Sequence, residues 1–542
     1  MVIARKFPAM PVVNLAVVSG SALAGALYAL SAGEDVNWDW QNYHDYAGFA
    51  LLHGRFDVDV APGGFQSYLN PLIYLLPYLL RHGLAAPWWG IVLGALHGLN
   101  LALIYRVTRN LLGTSNPIGP LAAMAIAAFG PMTLSEVGTS FADILTALPI
   151  IAGVALMFAD DDCEGLEQSR GQARRLVIAG LLLGAAAGLK LTNVTFLIGA
   201  GVSLLLLARP LSALLCFAAG SGLGLLASGG AWAFKLWREF GSPLFPFYNT
   251  IFRAPEAPLE PIVDTRFMPH GLLDALAYPF DWLIGEHPSS EWPFRDPRFA
   301  LIIVLMFAVL GASIWFGRAL LRPNDRRILF FFWGSYVPWL LAFSIQRYAI
   351  PLELLSAPAI VLLLTRLVEA WRAEANTRNV IASRALPVVT LVVTLAIVLW
   401  SQPTDWMRRP WSDPYRPRFA KALQRPATFL LLQKPLGYIV PMLSAGSRAY
   451  QISDVVLPVV PGGVLDQRIR AGLAQPLPGG LWALYLAESP EGNPVRLDLL
   501  DTFDLRIDPA RACLRISGAE HNDVAACPLI PRAAKASTAG LD

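Results

Sequence analysis

Charged residues are scarce in this chain: Asp, Glu, Lys and Arg make up only 15 % of its 542 residues, against about 25 % in an average soluble domain. Apolar residues make up 55 %. Apolar runs near the bilayer-spanning length of about 20 residues recur from Pro11 to Ser401. The net charge of +3 is small and spread over loops, so nothing indicates a nucleic-acid-binding protein. The composition is that of a polytopic membrane protein.

Several common motifs are also missing. No glycine-rich loop precedes a helix, so a cytosolic nucleotide-sugar donor is not indicated. No inverted repeats are visible, which weakens a transporter interpretation without excluding it. His44 and His53 show no metal-ligand spacing, so no metal-binding residue is assigned. A divalent-metal requirement stays open on this evidence.

The apolar runs predict about eleven membrane-spanning helices. Residues 11–32 follow Arg5 and Lys6 and are interpreted as an uncleaved first helix. Arginines recur in alternate connections, whereas the short outer turns carry only Lys190 and Arg347. This asymmetry predicts a cytoplasmic N-terminus in the cytoplasmic (inner) membrane. The predicted spans are 11–31, 87–105, 117–133, 141–159, 176–189, 193–208, 211–231, 299–317, 328–345, 349–365 and 386–401.

The predicted organisation is an all-α membrane domain, residues 1–401, followed by a small extracytoplasmic α/β domain, residues 402–542. Two long outer loops, 33–86 and 232–298, interrupt the membrane domain. Cysteines are few: Cys513 and Cys527 lie in the tail, where an oxidising compartment permits a disulfide, with unpaired thiols as the alternative. Cys163 and Cys216 are predicted to be free thiols.

The first outer loop is too polar to span a membrane and too apolar to be free in water. From Asp39 to Gly54 it fits a helix lying in the interface, with Gly54 as its C-terminal stop. One helical face carries Asp39, Tyr43, Tyr46, Ala47 and Ala50. Residues 68–80 are apolar, but 13 residues of helix rise only about 20 Å. They predict a second juxtamembrane helix, since an extra span would invert the arginine pattern.

Residues 39–54, which begin Asp-Trp-Gln-Asn-Tyr, resemble the first-loop signature D-x-x-x-Y-x-x-Y/A-A-x-x-L-L-x-G of the GT-C glycosyltransferase superfamily. The superfamily usually has two adjacent acids here, whereas Trp40 follows Asp39, so Asp39, Asp35 and Asp45 all remain candidates for the working acid. Further segments resemble superfamily motifs in the same order, at 68–71, 184–193, 241–249 and 347–351. The tail after residue 402 resembles no family.

The resemblance implies an inverting glycosyltransferase that uses a polyprenyl-phosphate-linked sugar at the outer face of the membrane. The acceptor hydroxyl would belong to a glycan, a lipid or a protein. Asp39 is the candidate general base. Asp143 stands where the superfamily often has a second acid and is the second candidate catalytic residue, which would help to position the donor or the acceptor. Lys190 and Arg347 are the candidate phosphate-binding residues. The resemblance adds Tyr43, Asp45 and Tyr348 as candidate substrate-binding residues.

Each assignment has a structural alternative. Asp39 could cap the interfacial helix, and Asp45 could be a solvated surface charge. Asp143 could be held at a helix N-terminus by the dipole, and Lys190 could snorkel from a helix end. Glu353 is the expected structural partner of Arg347.

Two other functions remain alternatives. A lipid-linked glycan flippase or other transporter would need charges near mid-bilayer, whereas the candidates here cluster at the predicted outer face. A glycan ligase or polymerase would use similar surface chemistry on a larger substrate.

Overall fold

The computed structural model describes residues 10–114, 116–159, 166–374, 380–488, 493–517 and 523–532. The basic N-terminal residues and Cys163 lie outside these ranges. The chain divides into two compact units. The helical unit comprises Met1–Asp35, Leu84–Ala231 and Val263–Arg408, and the sheet unit comprises Val36–Gly83, Trp232–Ile262 and Arg409–Asp542. The first outer loop thus forms one compact body with the C-terminal region.

Helices dominate the described residues. In chain order they are α1 (Met10–Ala32), α2 (Asp45–His53), α3 (Leu72–Gly83), α4 (Trp88–Leu112), α5 (Ile118–Ala128), α6 (Pro131–Glu136), α7 (Ala142–Met157), α8 (Leu166–Leu189), α9 (Val194–Leu204), α10 (Pro210–Leu225), α11 (Ala231–Phe240), α12 (Asn249–Phe252), α13 (Leu272–Ile284), α14 (Arg298–Trp315), α15 (Pro323–Ala342), α16 (Ile350–Glu374), α17 (Val380–Trp400) and α18 (Val464–Leu473).

The strands are short. They are β1 (Glu34–Asp35), β2 (Arg408–Arg409), β3 (Thr428–Leu431), β4 (Arg448–Gln451), β5 (Leu481–Leu486), β6 (Leu505–Ile507), β7 (Leu514–Ile516) and β8 (Val524–Pro531).

Each predicted span overlaps a helix of the helical unit, although the bounds often differ. By length and composition, six helices in the described part of the chain can cross a membrane. They begin at Asn14, Trp88, Arg170, Pro210, Arg298 and Gln346. Shorter apolar helices lie at Ile118–Ala128, Ala142–Met157, Leu191–Leu204 and Leu386–Trp400. The protein is therefore a multi-pass membrane protein, and the count of eleven spans stays a prediction.

The centre of the helical unit is α16. Its apolar window is 94 % buried, because the helix is apolar on all sides and must be covered all round. It packs against α4, α5, α7, α14, α15 and α17. Since α16 starts just after Arg347, this packing fixes the position of one predicted site residue.

Helices α8 and α10 pack backbone to backbone through glycines. A Cβ built on Gly184 would lie 2.1 Å from the Ser221 carbonyl oxygen, and one on Gly180 would lie 2.1 Å from the Phe217 carbonyl oxygen. Membrane helices use such small residues because close packing, rather than hydrophobicity, holds them together. The close approach fixes the end of α8, from which Lys190 extends.

We expect Gly184→Ala to destabilise the protein by about 1–3 kcal/mol, because the added methyl group overpacks this contact. Gly222→Ala is the matched control on α10, since a Cβ there meets nothing within 4 Å. It should be neutral or slightly stabilising, as alanine favours a helix over glycine. Unfolding in denaturing detergent would measure both, and equal effects would contradict the packing argument.

The sheet unit is built around a mixed sheet with the strand order β4-β3-β5-β8-β6, in which β7 also pairs with β8. Strands β3, β4 and β5 run parallel, and β8 runs antiparallel to β5. The register sets Leu514 opposite Ala526. Cys513 precedes Leu514 and Cys527 follows Ala526, so this pairing brings the two cysteines together, and they form a disulfide. Cys216 is a free thiol.

Both helices expected in the first outer loop are present. A π-helical turn, Trp40–His44, leads into α2, and Gly54 ends α2 in the left-handed conformation with φ 63°. The 12 residues of α3 are too short to cross the roughly 30 Å core of a bilayer. They bury the Tyr74 and Tyr78 side of the helix and expose three leucines, as an interfacial helix would.

Candidate active site

Six charged side chains gather in the helical unit, and we call them the charged cluster. They come from strands and from the ends of helices rather than from mid-helix positions. Its members are Asp35 on β1, Glu136 at the end of α6, Asp143 in the first turn of α7, Lys190 after α8, Arg347 in the 3-10 turn Gln346–Ala349, and Arg408 on β2.

Asp143 and Lys190, both predicted site residues, form an ion pair. The Lys190 Nζ donates to Asp143 Oδ1 at 2.6 Å, and the ammonium also lies 4.3 Å from the centroid of the Tyr348 ring. The Asp143 side chain is 2 % exposed and that of Lys190 is 17 % exposed. Lys190 therefore turns inward and does not snorkel. Asp143 does not only complement the dipole of α7, because its carboxylate also forms an ion pair with Lys190.

Arg347 lies among three aromatic rings. Its guanidinium carbon is 5.1 Å from the centroid of Phe141, 5.4 Å from Tyr348 and 5.9 Å from Trp406. Stacking of this kind suits the planar, delocalised guanidinium. The structure thus brings Asp143, Lys190, Arg347 and Tyr348 together.

The expected pairing of Arg347 with Glu353 is wrong. Glu353 Oε2 lies 3.4 Å from Arg298 Nη2, and the carboxylate accepts the backbone amides of Met132 and Thr133 at 3.1 and 2.8 Å. Glu353 lies on α16, and at that position it faces α14 and the start of α6 rather than the 3-10 turn that carries Arg347.

Glu136 and Arg408 belong to the cluster but were missed from the sequence. The Arg408 guanidinium donates to the carbonyls of Gly33, Ser135 and Val137, at 3.2, 2.9 and 2.8 Å, and so holds the chain on both sides of Glu136. One signal could have found Glu136: with Asp143 it is the only acid between residues 118 and 159. An isolated carboxylate between two apolar spans defaults to a functional interpretation.

Burial shifts the pKa values of Glu136 and Arg408. The pKa of the Glu136 carboxyl is raised well above its usual value, first by desolvation and then by the negative charge of Asp143. Lys190 and Arg347 act in the opposite direction but do not overcome this effect. Desolvation also lowers the pKa of Arg408, against the attraction of Asp35. The cluster therefore holds a carboxyl group that retains its proton unusually well.

Asp35, one of the three candidate acids, has a structural task. Its Oδ2 accepts both the backbone amide and the hydroxyl of Ser140, at 2.7 and 2.8 Å, and the side chain is fully buried. Ser140 leads directly into α7. Asp35 therefore anchors the start of the helix that carries Asp143.

Asp39 lies in the sheet unit and is 8 % exposed. The capping alternative predicts that its carboxylate accepts a hydrogen bond from a backbone amide in the first turn of the helix, but Asp39 makes no such capping bond. Asn37 supplies it, since its Oδ1 accepts the Trp40 amide at 2.8 Å. The capping role therefore belongs to Asn37.

The structural alternative for Asp45, a solvated surface charge, is wrong. Asp45 is 2 % exposed, and both of its carboxylate oxygens lie 3.0 Å from Nε2 of His82 on α3. The local sequence does not show this burial, because it depends on the packing of α3 against α2. Tyr43, the remaining predicted residue, is 7 % exposed and packs edge-on against Tyr74, 5.5 Å between ring centroids.

No three His, Cys, Asp or Glu side chains of the described ranges gather in a group that could hold a metal ion. The charged cluster mixes three acids with three cations, and such a set suits an anionic ligand better than a divalent cation.

The chain matches a known family in sequence and solved structures in fold. The model of glycosyltransferase family 87 matches residues 68–344, just over half of the 542 residues. No curated protein matches the chain. Two solved structures share its fold, both of ArnT from Cupriavidus metallidurans. The structure bound to undecaprenyl phosphate has a TM-score of 0.55 at 11 % identity, covering 95 % of this chain and 98 % of that chain. The apo structure has a TM-score of 0.54 at 12 % identity, covering 95 % and 97 %.

Proposed function

This chain belongs to glycosyltransferase family 87, and on that premise we propose that it transfers a sugar from a polyprenyl-phosphate-linked donor to an acceptor hydroxyl. The reaction would take place at the outer face of the cytoplasmic membrane and invert the anomeric carbon. The family and the ArnT-like fold support a membrane glycosyltransferase. The polyprenyl phosphate is proposed because one ArnT structure is bound to undecaprenyl phosphate.

The observation that carries the proposal is the pairing of two cations, Lys190 and Arg347, on one aromatic residue. Both lie against the Tyr348 ring, at 4.3 and 5.4 Å from its centroid. Sugar transfer from a lipid phosphate leaves a phosphate whose negative charge grows as the glycosidic bond breaks. Preorganised cations in a partly dry site stabilise such a charge strongly. Lys190 would act as a point charge and Arg347 as a bidentate donor.

Asp39 is proposed as the general base that takes the proton of the acceptor hydroxyl. Inversion requires a single displacement, so a base and a stabilised leaving group are sufficient. The other two candidate acids, Asp35 and Asp45, hold structural hydrogen bonds, with Ser140 and His82 respectively. The superfamily signature also falls on Asp39, and its capping role is taken by Asn37. Asp143 is proposed as a positioning residue for Lys190.

We expect Lys190→Met to weaken donor binding and transfer together by about 10²-fold or more, because the phosphate loses a charge-assisted contact. The assay incubates purified protein with a polyprenyl-phosphate sugar and a set of glycan, lipid and protein acceptors. Product stereochemistry, read by NMR of the new glycosidic bond, tests inversion. Lys190→Arg should recover part of the activity, since it keeps the charge and the pair with Asp143.

Lys235→Met is the matched control for the loss of a lysine paired with an aspartate. Lys235 Nζ also lies 2.6 Å from a carboxylate, that of Asp57, but this pair is exposed and lies outside the cluster. The control should transfer at the wild-type rate. Wild-type activity in Lys190→Met would contradict the phosphate role. Translocation of a lipid-linked glycan without turnover of any donor would favour the flippase.

A further inference from the structure

Two buried carboxylate oxygens in the charged cluster have no hydrogen-bond partner among the described residues. They are Oε1 of Glu136 and Oδ2 of Asp143. Their sister oxygens are occupied, since Glu136 Oε2 accepts the Ile144 amide at 3.2 Å and Asp143 Oδ1 accepts Lys190. Glu136 is fully buried and Asp143 is 2 % exposed. An ionised carboxylate oxygen left in this state costs free energy, because a buried polar atom normally has a partner.

The surroundings of Glu136 come from five elements. Asp143 faces it from α7, Lys190 from the end of α8, and Arg347 from the turn before α16. Arg408 interacts with it from β2. On the α4 side, His97 accepts the Gly138 amide through Nδ1 at 3.1 Å. The Lys190 ammonium forms an ion pair with Asp143, and the Arg408 guanidinium donates hydrogen bonds to three backbone carbonyls.

This arrangement poses a problem for phosphate binding. Lys190 has three N–H donors, but its 2.6 Å contact with Asp143 offsets much of its positive charge. The full charge reaches a donor phosphate only when that contact loosens. That step would leave a second buried carboxylate without its cation, beside Glu136. Two ionised carboxylates in one buried site repel each other, and the usual solution is one proton between them.

We propose that Glu136 and Asp143 share one proton, which is carried by Glu136 and donated to the unpartnered oxygen of Asp143, and that this hydrogen bond frees Lys190 to bind the phosphate of the donor. Glu136 is thus a positioning residue, acting on the phosphate through Lys190. The phosphate part of the inference depends on the proposed function; the shared proton does not. The raised pKa of the Glu136 carboxyl agrees with the shared proton.

Glu136→Gln tests the proton without any ligand. Glutamine has the shape of the protonated acid, and its amide can accept from Ile144 while it donates to Asp143. In the infrared spectrum at neutral pH, we expect the wild type to show the carbonyl band of a protonated carboxyl group that is absent from Glu136→Gln. Unchanged spectra would overturn the shared proton.

Stability gives a second ligand-free measurement. The folded protein keeps a proton on Glu136 that the unfolded chain releases above the ordinary value of 4.5. The wild type therefore binds more protons when folded than when unfolded. The stability that Glu136 contributes is full below its pKa in the unfolded chain and is lost as the pH rises to its pKa in the folded protein. The stability of the wild type should fall relative to Glu136→Gln over that window. A constant difference would contradict the inference.

Binding of undecaprenyl phosphate tests the link to Lys190. We expect wild-type affinity to hold through neutral pH and then to fall by up to about tenfold per pH unit as Glu136 loses its proton. In Glu136→Gln this fall should be absent over the same pH range. In Glu136→Leu, which cannot donate, affinity should be low throughout. Titration of the phosphate is common to all three proteins and cancels.

The outcomes separate the two proposals. An infrared band with no lipid binding at any pH would overturn the phosphate role and keep the shared proton. Lipid binding with the same pH profile in wild type and Glu136→Gln would overturn the link between Glu136 and Lys190 and keep the proposed function.

Discussion

Replacing Asp39 by asparagine is expected to lower the rate of sugar transfer by about 10²–10⁴-fold, the usual contribution of a general base. Asparagine has nearly the same shape but cannot accept the proton of the acceptor hydroxyl. The helix start should be unaffected, because its cap is supplied by Asn37. The loss should appear in kcat, with the KM for the donor little changed, since the base acts on the acceptor in the transition state.

Asp57→Asn is the matched control for this substitution. Asp57 belongs to the same first outer loop, but its side chain is 71 % exposed and pairs with Lys235. The same chemical change there should leave transfer within twofold of the wild type, within the error of such comparisons. The thermal midpoints of both variants should match the wild type. Full transfer activity in Asp39→Asn would remove it as the base, and Asp35→Asn and Asp45→Asn would then be compared.

The membrane-spanning part of the fold could be predicted because it depends on local composition. Each apolar run must satisfy its own backbone in lipid, so a run of sufficient length becomes a helix whatever its neighbours are. The interfacial helices were also predictable, since α3 is limited by its length and α2 by Gly54. The grouping of the first outer loop with the C-terminal sheet was not, because it depends on contacts between residues hundreds of positions apart.

The same distinction between local sequence and long-range contacts applies to the site residues. Asp143, Lys190 and Arg347 were found because charges at the predicted outer ends of apolar runs are exceptional. The contact partners of individual charged residues could not be predicted, as the cases of Asp45 and Glu353 show. The partner of Asp45 stands 37 residues away, on another helix. A helical wheel shows which residues share a face but not which element covers it.

Replacing Arg298 by methionine is expected to destabilise the protein by about 3–5 kcal/mol, the cost of removing one partner from a buried ion cluster. Arg298 is fully buried. It donates from Nε and Nη2 to the two oxygens of Asp296, each at 2.7 Å, and its Nη2 lies 3.4 Å from Glu353. Without it, two carboxylates stay buried with no cation. Since Glu353 also holds the first amides of α6, the loss should reach Glu136 at the other end of that short helix.

The chain contains its own control for this prediction. Arg266 makes the same bidentate contact with Asp264, two residues earlier, but that pair is exposed, with 69 % of the arginine side chain accessible. Arg266→Met should therefore cost about 1 kcal/mol or less, as exposed ion pairs do. Unfolding in denaturing detergent would compare the two variants. Similar losses would show that burial and Glu353 add nothing to the pair. A large loss in Arg298→Met alone, with transfer reduced even where the protein stays folded, would tie this buried ion cluster to the charged cluster through α6.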